Sequence, residues 1–324
     1  MMRQQLRPIA CATALLLGTA AGGAAAQDPA PALSPDAVND ASATTGAAAV
    51  LRAQVLLERA HFSPGQIDGG SGGNTTRAIE GFQGSRDLDP TGELDEATWK
   101  ALNGAGAPVL VTHTLTADEV AGPFRGIPDD MMEKAEADRL GYESLMEALG
   151  ERFHASPSLL KRLNPGKAFE AGADIVVPNV AAATPPAKPA KVVVDKSDSV
   201  VLLMDAEDRV LAQFPASTGS EHDPLPIGEW KIEGVATDPT FHYNPELFWD
   251  ANPAHAKATL PPGPNNPVGV VWIDLSKEHY GIHGTPEPAS IGKTESHGCI
   301  RMTNWSATLV GSLVAPGTPA ILRE

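Results

Sequence analysis

The spacing of apolar residues changes at an Ala/Pro-rich stretch, residues 181–190, and this change constrains the fold more than any other feature. Before the stretch, apolar residues recur every three or four positions, which is the period of an amphipathic helix. From Lys191 onward, short runs such as 192–194 and 200–204 alternate with turn residues, as is typical of β-strands. The chain therefore predicts a multidomain α+β protein, with a helical part, an extended linker over 181–190 and a mostly-β domain over 191–324.

Residues 46–105 contain three short helical patterns separated by Gly-rich turns. They predict a small three-helix bundle. The predicted core residues are Leu56, Ile79, Phe82, Trp99 and Leu102. The order I-D-G, T-T-R-A-I-x2-F-Q and L-D-x2-T-W-x2-L resembles the peptidoglycan-binding domain 1 family. The resemblance implies peptidoglycan as a partner, and since loops carry function more often than cores, the candidate glycan contacts are residues 68–74 and Arg77.

Residues 107–180 predict a strand at 109–115, two helices and a closing strand at 175–178. This βααβ order, with L-x3-F, L-L-x2-L-N-P and D-I-V-V-P-N, resembles the LysM fold, whose modules bind N-acetylglucosamine polymers. A long polar insert, 123–138, between the first strand and the first helix departs from that family. A purely structural spacer is the alternative interpretation of this module.

The first 26 residues predict a secretory signal. Arg3 and Arg7 form a basic start, an apolar core follows at 10–21, and the sequence A-A-A fits a cleavage site. A flexible spacer is predicted over 27–45. We therefore expect secretion across the inner membrane and a periplasmic, wall-associated location. No later apolar run is long enough to cross a bilayer, so we expect no integral membrane segment after cleavage.

Loss of the signal would remove Cys11 and leave Cys299 as the sole cysteine, without a partner for an internal disulfide. An unpaired thiol in a secreted protein is a candidate reactive group. Loss of Arg3 and Arg7 also takes the net charge from −16 to −18. Such acidity argues against nucleic acid or an anionic membrane surface as a partner.

Cys299 lies in the stretch that carries most of the chemistry, residues 282–302, which reads I-H-G-T, a polar loop, then S-H-G-C-I-R-M. A thiol needs a base to become a nucleophile at neutral pH, and His283 and His297 are both candidates. Gly298 lets the backbone approach a substrate, and nearby amides can donate to the oxyanion that forms on an attacked carbonyl. The spacing alone does not separate the two histidines.

This double motif resembles the catalytic signature of the L,D-transpeptidases, the YkuD family, whose catalytic domain is mostly β. The resemblance implies that Cys299 is the nucleophile and that His283 is the base, its ring held by the carbonyl of Gly284. His297 would shape the pocket, and the amides of Gly298 and Cys299 would form the oxyanion hole. The candidate substrate-binding residues are Arg301, Ser296 and Thr285.

The implied reaction is a two-step acyl transfer on peptidoglycan stem peptides that requires no metal or organic cofactor. The thiolate attacks the carbonyl of the diamino acid at position three, the terminal D-alanine leaves, and an amine resolves the thioester. A second stem peptide as acceptor gives a 3–3 cross-link, and a protein amine gives an anchored envelope protein. Water as acceptor makes the enzyme an L,D-carboxypeptidase. The resemblance also implies acylation by carbapenems.

Two alternatives belong to other functional classes. A non-catalytic wall-binding protein would keep the motif with an inert Cys299. A zinc hydrolase would use His283, His297 and Cys299 as ligands, although their spacing matches no common zinc pattern.

Two further expectations concern the organisation of the β domain. The aromatic, Pro-rich loop at 239–267 is long for a compact domain, and such loops are usually functional. It resembles the lid that covers the active site in many members of the family, and packing of its aromatic residues over an exposed sheet edge is the alternative interpretation. The extended linker over 181–190 predicts that the catalytic domain works alone. A fragment of residues 191–324 should then react with a carbapenem nearly as fast as the mature chain.

Overall fold

The computed structural model describes residues 33–104 and 106–324. The predicted signal, 1–26, and the first residues of the predicted spacer, 27–32, lie outside the described ranges. Within the described ranges, no helix is long and apolar enough to cross a membrane.

The second part of the predicted spacer begins the fold instead of linking to it. Residues Pro35–Asn39 form a short helix, α1. Val38 is completely buried, and the Asn39 side chain accepts a hydrogen bond from the Val109 amide at 2.8 Å. The prediction of a flexible spacer over 27–45 is wrong for this part, because composition does not reveal which residues pack against a distant strand.

Three helices follow and form the predicted bundle. Their bounds are α2 (Gly46–Arg59), α3 (Gly73–Gly84) and α4 (Glu96–Leu102). Buried residues recur at helical spacing, as Ala78, Ile79 and Phe82 do on α3, so each helix turns one face to the core. Asp95 begins α4 by accepting a hydrogen bond from the Thr98 amide at 2.7 Å.

The next segment has a strand at each end, as predicted, but four helices between the strands instead of the predicted two. Its elements are β1 (Leu110–Thr114), α5 (Ala117–Ala121), α6 (Met131–Ala135), α7 (Leu145–Arg152), α8 (Pro157–Leu163) and β2 (Asp174–Pro178). β1 and β2 pair antiparallel, with Leu110 opposite Pro178. Helix α6 lies in the polar insert, where Asp130 accepts hydrogen bonds from the amides of Met132 and Glu133.

The bundle and this segment share one hydrophobic core. Leu57 and Phe62 from the bundle pack in the same cluster as Val109, Leu160 and Ile175 from the following segment. The two predicted modules are therefore joined by burial of common apolar surface.

The rest of the chain is a mostly-β domain built on an eight-stranded sheet. Its elements are β3 (Lys191–Asp195), β4 (Val200–Met204), β5 (Val210–Pro215), β6 (Gly228–Thr237), β7 (Phe241–Tyr243), β8 (Ala258–Leu260), β9 (Val271–Leu275), β10 (Gly281–His283), β11 (Ile300–Arg301), α9 (Asn304–Leu313) and β12 (Pro319–Arg323). The sheet order is β11-β10-β9-β6-β12-β3-β4-β5, and β7 pairs with β8 in a separate hairpin. Strands β10 and β11 are parallel, as are β3 and β12.

The predicted linker does not isolate the β domain. The Thr184 carbonyl lies 2.5 Å from Nε2 of His61 in the helical part. The Gln213 side chain on β5 donates to the Arg77 carbonyl on α3 at 2.6 Å. The described residues belong to one compact unit, so the expectation that 181–190 separates two independent parts is wrong.

Candidate active site

The parallel pairing of β10 with β11 brings the two halves of the motif together. Ile282 lies opposite Ile300, and His283 lies opposite Arg301. Cys299 directly precedes β11 and is half-buried. Because side chains alternate across a strand, His283, Arg301 and Cys299 share one face while both isoleucines enter the core.

His283 is only 5% exposed, and two neighbours fix its ring. Its Nδ1–H donates to the Gly284 carbonyl at 2.7 Å, and the ring stacks on Trp272 with centroids 5.5 Å apart. Since a carbonyl only accepts, the proton of the neutral ring lies on Nδ1 and the lone pair on Nε2. Burial lowers the pKa of His283 to about 4, with the Gly284 hydrogen bond opposing and the charge of Arg301 adding. At neutral pH the imidazole is uncharged and can take up a proton.

The thiol of Cys299 is held in its protonated form by the same burial. Burial raises the pKa of Cys299 above its usual value, while a hydrogen bond from the Gly281 backbone and the charge of Arg301 lower it. Its Sγ lies 3.6 Å from the His279 carbonyl. The resting group is therefore a thiol, which needs a base at the moment of reaction.

The turn before Cys299 depends on two small residues. Ser296 Oγ donates to the Cys299 carbonyl at 2.5 Å, and the Ser296 amide donates to the Thr218 carbonyl at 2.8 Å. Gly298 has a φ of +101°, and a Cβ at this position would lie 2.9 Å from the Tyr280 ring. Any other residue at 298 would be both strained and crowded, so glycine is required to present the cysteine.

Arg301 stands beside the thiol with its guanidinium partly exposed. Its Nη2 donates to the Glu295 carbonyl at 2.8 Å. Burial lowers the pKa of Arg301 while Glu287 raises it, and a guanidinium stays charged at neutral pH. Its five N–H donors can bind a carboxylate as well as this carbonyl. Thr285 and Ser296 differ, because their hydroxyls bond the Glu287 amide and the cysteine carbonyl within their own loops.

His297 faces the predicted lid, residues 239–267. Its Nε2 lies 2.9 Å from Asp250 Oδ1, and its ring meets Phe248 edge-on with centroids 5.3 Å apart. Trp249, which is 64% exposed, lies 6.0 Å from the same ring. The lid therefore borders the site at the residue that precedes Gly298.

Two residues that sequence reasoning did not single out also shape the site. Burial and the nearby Cys299 raise the pKa of Tyr280, whose ring limits the space at the turn. Asn304 lies against Gly284, whose carbonyl holds the His283 ring, because a Cβ added to Gly284 would lie 2.2 Å from the Asn304 Oδ1. Both stand outside the double motif, and the only signal was an aromatic residue just before β10 and a capping-type residue at the start of α9.

Two residues predicted to contact glycan support the polar loop between the two halves of the motif instead. Asn74 Nδ2 donates to the Ile291 carbonyl at 2.9 Å, and Arg77 Nη2 donates to the Gly292 carbonyl at 3.2 Å. Helix α3 therefore contacts the loop that leads to the cysteine. The rest of the 68–74 turn stays a candidate for glycan binding.

The zinc-hydrolase alternative lacks a ligand set in the described part of the chain. Within residues 33–104 and 106–324, no group of three or more His, Cys, Asp or Glu side chains could hold a metal ion. The Nδ1–H of His283 is bonded to Gly284, and His297 is paired with Asp250.

Two family models match the chain. One, described as the L,D-transpeptidase catalytic domain, matches residues 189–322, and one described as a peptidoglycan binding domain matches residues 46–102. The chain is also 30% identical over 176 residues to a protein of Bacillus licheniformis named as the L,D-transpeptidase YkuD, covering 53% of this chain and 90% of the relative. This chain belongs to the L,D-transpeptidase (YkuD) family.

Further L,D-transpeptidases resemble parts of this family member. YbiS of Escherichia coli K12, named as an L,D-transpeptidase, is 38% identical over 109 residues, which cover 32% of this chain and 35% of that protein. The solved L,D-transpeptidase from Mycobacterium smegmatis is 20% identical with a TM-score of 0.34, covering 47% of this chain and 64% of that one. The chain spans less than two thirds of these two proteins. The LysM resemblance of residues 107–180 stays a prediction.

Proposed function

We propose that this chain is a cysteine-dependent L,D-transpeptidase acting on peptidoglycan stem peptides, with Cys299 as nucleophile and His283 as general base. The observation that carries the proposal is the state of His283. Its Nδ1–H is bonded to the Gly284 carbonyl and its pKa is lowered to about 4, so Nε2 is an uncharged acceptor on the face that bears the thiol. The pairing of His297 with the lid carboxylate of Asp250 supports the choice of His283.

The acylation step follows from these two groups. As Cys299 Sγ bonds to the carbonyl carbon of the diamino acid, its proton passes to His283 Nε2 and the carbonyl electron pair moves onto oxygen. The amides of Gly298 and Cys299 are the proposed donors to that oxyanion. Collapse breaks the bond to the D-alanine nitrogen, which leaves with the proton from His283. The product is a thioester on the cysteine.

The second step returns the enzyme to its resting state. An acceptor amine attacks the thioester carbonyl and gives a proton to His283 Nε2. Collapse then breaks the carbon–sulfur bond, and the thiolate takes that proton back. The base is uncharged at the start of both steps, which is the state that burial favours in His283.

Arg301 is the proposed contact for a substrate carboxylate. It is a cation beside the thiol, and a planar guanidinium can bind a carboxylate with two parallel hydrogen bonds. Ser296 and Thr285 have hydroxyls that bond within their loops, so we assign them the support of the site instead of contact with the substrate.

The cell wall is the proposed place of action. The match of residues 46–102 to a peptidoglycan binding domain supports peptidoglycan as the partner. The secretory pattern of residues 1–26 supports a periplasmic location. We propose a second stem peptide as the acceptor, which gives a 3–3 cross-link. An envelope-protein amine or water as acceptor are the outcomes that a product analysis would separate.

Incubation of the mature chain with purified tetrapeptide muropeptides tests the proposal. Mass spectrometry should detect cross-linked dimers that have lost one D-alanine, and the Cys299→Ala variant should give none. A tripeptide monomer as sole product would mean a carboxypeptidase. No product from a folded chain whose Cys299 also resists alkylation would overturn the proposal in favour of a wall-binding protein.

A further inference from the structure

In the structure the insert between α5 and α7 extends beyond its polar part to residue 142. This longer insert, residues 123–142, packs on the lid, and the two bury a hydrophobic cluster of their own. Leu140 from the insert is completely buried with Tyr243 and Leu260 from the β7–β8 hairpin. Met131 on α6 and Phe248 in the lid pack around these three. The cluster is separate from the two main cores, so it exists only where the insert and the lid meet.

Two hydrogen-bonded side-chain pairs flank this cluster. Asp130 Oδ2 lies 2.9 Å from His255 Nε2, and His255 Nδ1 lies 3.0 Å from the Tyr243 hydroxyl. Arg139 binds Asp238 with both terminal nitrogens, at 2.7 and 2.9 Å. A bidentate pair fixes orientation as well as distance. The insert therefore contacts the hairpin at both ends, through Asp238 before β7 and through His255 before β8.

The backbones of the two segments also approach each other closely. The Leu140 amide donates to the Pro262 carbonyl at 3.0 Å, and the Leu140 carbonyl accepts from the Asn265 amide at 3.0 Å. A Cβ at Gly263 would lie 2.1 Å from the Leu140 carbonyl. Only glycine permits this approach, so the sequence of the lid is fitted to the insert.

The lid carries this contact to the active site. Phe248 belongs to the cluster with the insert and also meets the His297 ring. Asp250, two residues after Phe248, pairs with the same histidine. Since His297 lies two residues before Cys299, the position of the lid and the position of the nucleophilic turn are linked through one aromatic ring.

We propose that the insert, residues 123–142, is a brace that holds the lid over Cys299, and that Asp130 and Arg139 are positioning residues acting through the lid. Its effect on turnover rests on the proposed transpeptidase function. A loosened lid would admit reagents to the thiol more readily but would hold a stem peptide less well. The segment before the β domain thus supports a loop that borders the site of the β domain.

Two substitutions release the brace without removing a core residue. Asp130→Ser keeps an N-cap residue for α6 but shortens the side chain away from His255. Arg139→Gln removes the bidentate pair with Asp238. Arg209→Gln is the matched control, because its exposed pair with Asp205 lies between β4 and β5, at the opposite edge of the sheet from the site.

Hydrogen exchange and thiol alkylation of the mature chain measure the lid directly. The double variant should raise amide exchange across residues 241–260 several-fold, with roughly up to five-fold from the exposed Arg139–Asp238 pair, and the control should not. Alkylation of Cys299 by a bulky maleimide should speed up more than alkylation by iodoacetamide. Unchanged lid exchange in the double variant, or an equal rise in Arg209→Gln, would overturn the proposal.

A second substitution and a kinetic comparison separate positioning from general loss of structure. Asp238→Asn removes the charge of the same pair but keeps a side chain suited to the left-handed backbone at this position (φ +49°), and it should raise lid exchange as much as Arg139→Gln does. Lid exchange at the wild-type rate in Asp238→Asn would contradict the role of the pair. With a stem peptide as substrate, the double variant should have a higher KM and nearly the same kcat. If kcat falls as much as KM rises while lid exchange stays normal, the role in positioning is contradicted. If the wild-type protein shows no turnover, only the proposed transpeptidase function is refuted, because hydrogen exchange and alkylation still test the brace.

Discussion

Burial leaves both residues of the proposed mechanism, Cys299 and His283, uncharged at rest. It lowers the pKa of His283 to about 4 and raises the pKa of the Cys299 thiol. A preformed thiolate–imidazolium pair would need the opposite shifts. In the proposed mechanism, proton transfer must therefore accompany attack, and we expect the reactivity of the thiol to depend on His283.

The first prediction at this scale compares the two histidines. His283→Ala should slow acyl transfer by roughly 10²–10⁴-fold, the range for a positioned general base, and should also slow iodoacetamide alkylation of Cys299 at neutral pH. His297→Ala is the matched variant and should keep most of the thiol's reactivity, because its ring faces Asp250. Alkylation rates of both variants decide the assignment, which is reversed if His297→Ala shows the larger loss.

The second prediction concerns the pH dependence of the thiol. The alkylation rate of Cys299 should keep rising with pH through the neutral range, because burial raises the pKa of the thiol. Protonation of His283 should add a further loss only as pH falls toward about 4, the value to which burial lowers its pKa. The measurement is an iodoacetamide rate profile of the mature chain. A rate already constant from about pH 5 upward would mean a preformed thiolate and would contradict this state of the site.

Helices α7 and α9 meet next to Gly284, and this contact links two elements that are distant in the sequence. Glu151 on α7 accepts a hydrogen bond from Asn304 Nδ2 on α9 at 3.4 Å, and Asn304 Oδ1 abuts Gly284. Burial raises the pKa of Glu151 to about 8, with the Asn304 bond opposing and the charge of Glu147 adding. A mostly neutral carboxyl at pH 7 thus supports Gly284, the residue whose carbonyl holds the His283 ring.

This element-scale contact predicts how stability varies with pH. The Glu151 carboxyl of the unfolded chain loses its proton near the ordinary pKa of 4.5, whereas the folded chain keeps it until about 8. Between these values the unfolded state binds fewer protons, so this group makes stability fall as pH rises. Glu151→Gln should remove that slope and stabilise the protein at pH 8 by about 1–2 kcal/mol.

Denaturant unfolding at acid and alkaline pH checks this prediction. The exposed Glu170→Gln variant is the control and should follow the wild type at both pH values. If Glu151→Gln were destabilising at alkaline pH, the carboxyl would be ionised and favourably paired in the folded protein, contrary to the account.

Over the whole molecule, the sequence predicted the strands and the bundle helices better than the way these parts fit together. The residues of the double motif lie close in sequence, and the predicted strands and bundle helices follow local periodicity, so both could be inferred from short stretches. The docked linker at 181–190, the contact of Asn39 with Val109 and the brace around Leu140 could not be inferred. These contacts join distant residues, and local periodicity does not record which distant side chains meet.

The prediction at this scale concerns the isolated β domain. A fragment of residues 191–324 loses the brace, the Arg77 contact to Gly292 and the packing of α3 on β5. It should therefore react with a carbapenem more slowly than the mature chain, or fail to fold, in contrast to the expectation from the linker alone. Circular dichroism and intact-mass labelling rates measure both properties. A folded fragment that labels at the rate of the mature chain would contradict this coupling.

The most direct test of the account is the mass of Cys299 after exposure of the mature chain to a carbapenem. A thioacyl-enzyme mechanism predicts that the intact protein gains the mass of one carbapenem, that peptide mapping assigns it to Cys299, and that folded Cys299→Ala gains none. The same variant should have no transpeptidase activity. An adduct on another residue, or turnover retained by Cys299→Ala, would contradict the central claim that this cysteine is the nucleophile.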